Sequence, residues 1–182
     1  DEDSLGKGDF VYYTARDGMK IPAIITYPAG YREGDKAKGA IIVPHGGPWA
    51  RDYAGFDSSG WTQFFASRGY IIMQPQYRGS AGWGRELWLA GDGEWGQKMQ
   101  DDKDDGAAWL VSQGYVDADK IAMHGYSYGG FAAIAASVRP NSPYQCAIAG
   151  AGVGNLAKLA NEWGDNRIQR IVQGDTVKGM DP

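Results

Sequence analysis

The chain has 182 residues, 43% hydrophobic and 22% charged, which suits one compact unit with a sizeable core. A net charge of −4 with no Lys/Arg cluster gives no electrostatic footprint for nucleic acid or an anionic membrane, so neither is expected as a partner. No run approaches the roughly 18 apolar residues of a membrane span, and the single cysteine, Cys146, can form neither an internal disulfide nor a structural zinc site and is expected to be buried.

The opening Asp1-Glu2-Asp3-Ser4 is neither a signal peptide nor a natural start, so the compartment stays open. Phe10–Tyr13 and Ile21–Tyr27 are β-rich runs separated by Arg16-Asp17-Gly18, where Asp-Gly favours a turn, and they predict a hairpin. Ala40–Val43 and Tyr70–Met73 are short apolar stretches without alternation, as expected of parallel strands covered on both faces. A helix fits between them, around Trp61–Ser67. Gly79 to Gly96, with Trp83, Trp88 and Trp95, reads as one long irregular region whose aromatics pack a surface loop onto the core.

Beyond Gly96, Met99, Ala107, Ala108, Leu110 and Val111 recur at helical spacing and predict an amphipathic helix ending near Gly114. Asp101, Asp102, Asp104 and Asp105 lack the ligand spacing and central glycine of an EF-hand loop and read as a charged helix start. Arg51, Arg78 and Arg85 are expected in surface pairs. Lys120–Met123 is a strand, Gly129–Val138 a helix and Gln145–Ala149 a strand again. Strand and helix alternate, so the fold class is α/β, with a mainly parallel sheet and helices on both faces.

Gly125-Tyr126-Ser127-Tyr128-Gly129 is the only G-x-S-x-G, and it falls between a predicted strand and a predicted helix. That context is a nucleophile elbow: a sharp turn exposes Ser127 Oγ, and the glycines two residues away keep the two arms from colliding. The following backbone N–H, that of Tyr128, and the positive helix end then face a developing oxyanion. Pro44-His45-Gly46-Gly47-Pro48 follows directly on an early strand, where this fold draws its other oxyanion donor. Gly46 N–H and the His45 side chain are both candidates.

A serine hydrolase also needs a base, and the chain has two histidines, His45 and His124, both before Ser127. His45 lies in the oxyanion loop. His124, on the strand entering the elbow, is expected to pack beside the sheet. In α/β-hydrolases the triad runs Ser, then Asp or Glu, then His, so the base is expected beyond Pro182.

Four spaced stretches, VPHGGP from Val43, QYRGSAGWG from Gln76, WGQKMQDD from Trp95 and GYSYGG from Gly125, together resemble the catalytic domain of the prolyl oligopeptidase family. The likeness is strongest to its dipeptidyl-peptidase and acylaminoacyl-peptidase branch. Asp17 to Ala23 resembles the entry strand pair of that domain. The resemblance implies a serine peptidase of α/β-hydrolase fold that acts on peptides without metal or organic cofactor. Residues 1–182 would be part of the catalytic domain, preceded in the parent by a β-propeller and followed, after about 60 to 90 residues, by the triad Asp and His. By that reading the chain alone is inactive, and oligomeric state is left open. An esterase or lipase, or a non-catalytic binding member of the fold, are the alternatives.

Overall fold

The structure is a computed structural model that describes residues 5–165. In chain order the elements are β1 (Gly8–Thr14), β2 (Lys20–Thr26), β3 (Gly39–Ile42), α1 (Trp61–Ala66), β4 (Tyr70–Pro75), α2 (Arg85–Leu89), α3 (Lys98–Ser112), β5 (Ile121–Tyr126), α4 (Tyr128–Val138), β6 (Cys146–Gly150) and α5 (Leu156–Asp165). The strands form one six-stranded sheet in the order β1-β2-β4-β3-β5-β6. β1 and β2 pair antiparallel, as do β2 and β4, and every other neighbouring pair is parallel.

The hairpin turns where expected: Gly18 has φ 91°, and Ala15 N–H donates to Met19 O at 2.8 Å. β3 and all of β4 after Tyr70 are buried, as continuous apolar runs require when both sheet faces are covered. Successive side chains of β5 make the two layers visible. Met123 meets Gln100 of α3, whereas its neighbour His124 meets Trp61 and Phe65 of α1 on the opposite face. The core side chains Ile42, Ile71, Met73, Leu110, Met123 and Ala132 fill the α3/α4 side.

α3 is fixed to the first strand as well. Tyr13 O–H donates to the Asp102 carbonyl at 2.5 Å across 89 residues of sequence. A methyl group at Gly106 of the same helix would lie 2.8 Å from Met73 Sδ and 3.0 Å from Tyr13 Oη, so only glycine admits this approach.

Four expectations are corrected. The region after Gly79 is not wholly irregular, since α2 forms within it and buries Leu87 against the core. Arg78 is not a surface residue: it is 3% exposed and lies between Asp17 and Asp102. Nor is Asp102 part of a solvated helix start; it is fully buried, because it occupies the apolar stripe of α3 with Met99, Gly106 and Leu110. Cys146 is exposed, because β6 pairs on one side only, with β5, among the described residues.

Candidate active site

β5 ends at Tyr126 and α4 begins at Tyr128, which leaves Ser127 alone on the turn with φ 57° and ψ −118°. This left-handed region disfavours any side chain, and a residue held there signals strain of about 1–3 kcal/mol borne by its surroundings. Those surroundings are main chain. Ser127 N–H donates to Gly150 O of β6 at 2.9 Å, and Ser127 O accepts from Phe131 N–H at 3.0 Å. A methyl group at Gly125 would overlap the Gly129 carbonyl, and one at Gly129 would overlap the Pro44 carbonyl. The two elbow glycines thus allow strand, helix and the loop after β3 to touch backbone to backbone. Ser127 itself is exposed, and the N–H groups of Tyr128 and Gly129, in the first turn of α4, have no intrahelical acceptor by helix geometry.

The loop after β3 reaches the same point. A methyl group on Gly46 would stand 3.3 Å from Ser127 Cβ and 3.8 Å from its Oγ. Gly46 and Ser127, distant in sequence, are neighbours, and Tyr128 follows Ser127 directly in the chain.

His45 turns its ring inward. Nδ1 lies 2.8 Å from the Gly46 carbonyl, which can only accept, so Nδ1 carries the proton. Nε2, 2.8 Å from Ser80 Oγ, is then the acceptor of the serine hydroxyl. Burial lowers the imidazole to about 4, so the ring is neutral at pH 7 with both nitrogens occupied. Tyr77 stacks on it at 4.5 Å between centroids and donates its hydroxyl to His45 O at 2.6 Å. The next ring in the pile is Tyr128, 5.5 Å from Tyr77. Trp95, Met99 and Phe131 enclose that pair in a second apolar cluster.

His124 packs as expected, 5.3 Å from Trp61 and 5.8 Å from Phe65, and burial lowers its pKa. Its Nδ1 is buried without a hydrogen-bond partner among the described residues. Neither histidine is hydrogen-bonded to Ser127 there. A cavity of about 460 Å³ adjoins the elbow, lined by Gly46, Asp52, Trp61, His124 and Tyr126 among others. Burial pushes the Asp52 carboxyl up to about 6, with Gln76 and Gln74 opposing the shift. No metal-holding group of three His, Cys, Asp or Glu occurs among the described residues. Asp101 and Asp104 instead bind Arg139, and Asp105 binds Arg16.

Two features of this centre escaped sequence reasoning: the Arg78–Asp102 pair and the buried Lys103 beneath Tyr77 and Tyr128. Their signal was present. Positions 99, 102, 103, 106, 107 and 110 follow helical spacing, which puts Asp102 and Lys103 on the inward face.

Comparison with known proteins agrees with this architecture. The sequence profile described as the prolyl oligopeptidase family matches residues 56–176. Dipeptidyl aminopeptidase BIII of Pseudoxanthomonas mexicana is 36% identical over 154 residues, covering 82% of this chain and 22% of the relative. Dipeptidyl peptidase family member 6 of Caenorhabditis elegans is 33% identical over 166 residues, covering 81% and 22%. The chain therefore spans about a fifth of the length of these curated relatives. A solved puromycin hydrolase superposes with TM-score 0.84 at 27% identity, over 95% of this chain and 26% of that one. An acylaminoacyl peptidase of Pyrococcus horikoshii, at 22% identity and TM-score 0.78 over 98% of this chain and 28% of its own, shares the fold. With its mainly parallel sheet, its flanking helices and its serine turn between β5 and α4, this chain has the α/β-hydrolase fold and belongs to the prolyl oligopeptidase family.

Proposed function

We propose that the chain is the nucleophile-bearing part of a serine peptidase catalytic domain, in which Ser127 is acylated by a peptide substrate. The observation that carries the reading is the position of Ser127, exposed at a left-handed turn with Gly46 packed against it. Ser127 Oγ attacks the peptide carbonyl as its proton passes to a base. The carbonyl oxygen, now negative, is held by Tyr128 N–H and by the His45–Gly46 segment. Because both ring nitrogens of His45 are engaged, the donor of that segment is the Gly46 N–H, and His45 shapes the loop that presents it. Collapse of the tetrahedral adduct breaks the C–N bond, the base returns its proton to the leaving amine, and water hydrolyses the ester in the same way.

The base and its carboxylate partner belong, on this reading, to chain beyond Pro182, and a β-propeller precedes the domain in the parent. Engaged His45 and packed His124 support that assignment, as do the lengths of the relatives. The names of the first two curated relatives favour an amide of a peptide over an ester as substrate.

The test compares residues 1–182 with the full-length protein for turnover of a peptide amide and for labelling by a fluorophosphonate, alongside full-length Ser127→Ala. Turnover and labelling in the parent, lost in Ser127→Ala and at most faint in the isolated segment, is the expected result. Near wild-type turnover in Ser127→Ala overturns the nucleophile. Parent-like turnover by the segment overturns the placement of the base.

A further inference from the structure

Lys103 is the one lysine of α3 that faces inward, and its side chain is fully buried. Its Nζ donates to Met99 O at 2.5 Å, one turn back on its own helix. Otherwise the ammonium meets aromatic faces, with Nζ 3.6 Å from the Tyr77 ring centroid and 5.2 Å from that of Tyr128. These are the same two rings that stack on each other, Tyr77 also lying against His45 and Tyr128 following Ser127 in the chain. Tyr77 holds the His45 carbonyl through its hydroxyl, and Tyr128 supplies the N–H that follows the serine.

We propose that protonated Lys103 is a positioning residue for the oxyanion hole: one buried ammonium, seated against Tyr77 and Tyr128, holds the His45–Gly46 segment and the Tyr128 N–H in register with Ser127. The inference rests on the role proposed above for Ser127. A cation on a ring face is attracted by the quadrupole, more strongly where water is excluded, so the charge clamps both rings at once. A neutral amine at the same place fills the volume without the clamp.

The charged and titratable groups around Lys103 leave it poised. From its own helix, Asp102 is turned to Arg78 and Asp104 to Arg139. Arg78 follows β4 and Arg139 follows α4. Tyr77, Tyr128 and, behind Tyr77, His45 complete the surroundings. Burial lowers the ammonium to about 7, the two aspartates opposing and the two arginines assisting. Its charge in turn helps keep His45 neutral. The clamp is therefore present below neutral pH and released above it.

The experiment uses the full-length protein and follows kcat and KM for a peptide p-nitroanilide from about pH 5.5 to about 9.5. In wild type, kcat falls as pH rises through the deprotonation of Lys103. In Lys103→Met, kcat near pH 6 drops about tenfold or more with KM changed less than about twofold, and the alkaline limb disappears. Lys103→Arg, charged throughout, restores part of kcat and carries it into the alkaline range. Wild-type kcat in Lys103→Met, or an alkaline limb unmoved by either substitution, overturns the inference. If Lys103→Met does not fold by circular dichroism, the limb in Lys103→Arg decides; if neither folds, a wild-type kcat that stays flat above neutral pH overturns it and a falling one supports it. Full-length Ser127→Ala separates the two readings. Retained turnover there removes the nucleophile and this inference together, whereas loss there with wild-type behaviour at position 103 removes Lys103 alone.

Discussion

The guanidinium of Arg78 lies side-on against the carboxylate of Asp102, with Nε to Oδ2 at 2.9 Å and Nη2 to Oδ1 at 2.7 Å, and both side chains are out of solvent. Arg78 N–H adds a third bond to the same carboxylate at 2.9 Å, and Asp17 takes the remaining face of the guanidinium. The loop after β4 is thus locked to α3 by charge-assisted bonds in a dry setting. Arg78→Met leaves an uncompensated buried carboxylate and is expected to cost about 3–5 kcal/mol. Arg78→Met with Asp102→Asn is expected to recover much of that loss. Chemical denaturation of the two variants checks the pair, and equal destabilisation in both would contradict it.

The three glycines of the site separate packing from chemistry. Alanine at Gly125 or Gly129 drives a methyl group into backbone, which cannot move aside, so losses above about 3 kcal/mol or failure to fold are expected. Alanine at Gly46 meets Ser127 Cβ at 3.3 Å, a contact relieved by a few tenths of an ångström. Gly46→Ala is expected to fold with near wild-type Tm and, on the role proposed for the Gly46 N–H, to lose about tenfold or more in kcat as donor and serine move apart. Wild-type kcat in folded Gly46→Ala would place the oxyanion elsewhere.

Strain at Ser127 gives a contrast between two variants that lack its hydroxyl. Glycine adopts φ 57° freely, whereas alanine keeps the penalty of a side chain. Ser127→Gly is expected to be more stable than Ser127→Ala by about 1 kcal/mol or more, read as a difference in Tm. The reverse order would mean that the turn is relaxed.

His45 couples the loop to pH. Its folded value of about 4 lies below the ordinary value of about 6.5 in an unfolded chain. Between the two, the unfolded state binds the extra proton, so stability rises with pH across that window and is lost as pH falls toward 4. The shift corresponds to roughly 3 to 4 kcal/mol. Unfolding of wild type and His45→Asn at about pH 4.5 and about pH 7 checks the sign: the wild type is expected to lose more on acidification.

Lys103 carries the same sign in a higher pH window. Its folded value of about 7 lies below the ordinary lysine value of about 10.4, so between them the unfolded state is the better proton acceptor and wild-type stability rises with pH. Lys103→Met, which removes a buried charge at similar volume, is expected to be more stable than wild type by about 1–4 kcal/mol at pH 7 and below, and the gap is expected to close toward pH 10. A variant that gains stability while losing kcat cannot owe the loss to a damaged fold.

Much of this arrangement was legible in the sequence because it is written in local terms. Asp17-Gly18 marked the hairpin, unalternating runs at Ala40 and Tyr70 marked covered parallel strands, and Gly125 to Gly129 marked the serine turn. Cys146 was misplaced because burial of β6 depends on what lies beside it, which its own residues do not encode. Arg78 and Asp102 were read by charge, which favours the surface, although their pairing across 24 residues reverses that preference. His45 shows the same limit: its sequence context brings it to the loop, but only the fold shows that Ser80 and Gly46 occupy both ring nitrogens.

The bond from Tyr13 to the Asp102 carbonyl has a consequence for how the protein opens. It joins the first strand to the N-terminal third of α3, where the carbonyl of Met99, three residues earlier, is held by Lys103. The hairpin cannot peel from the sheet, nor α3 lift, without the Tyr13 hydroxyl losing the Asp102 carbonyl. The amides of β1 and of α3 are therefore expected to share an opening free energy in hydrogen exchange, and Tyr13→Phe is expected to separate them.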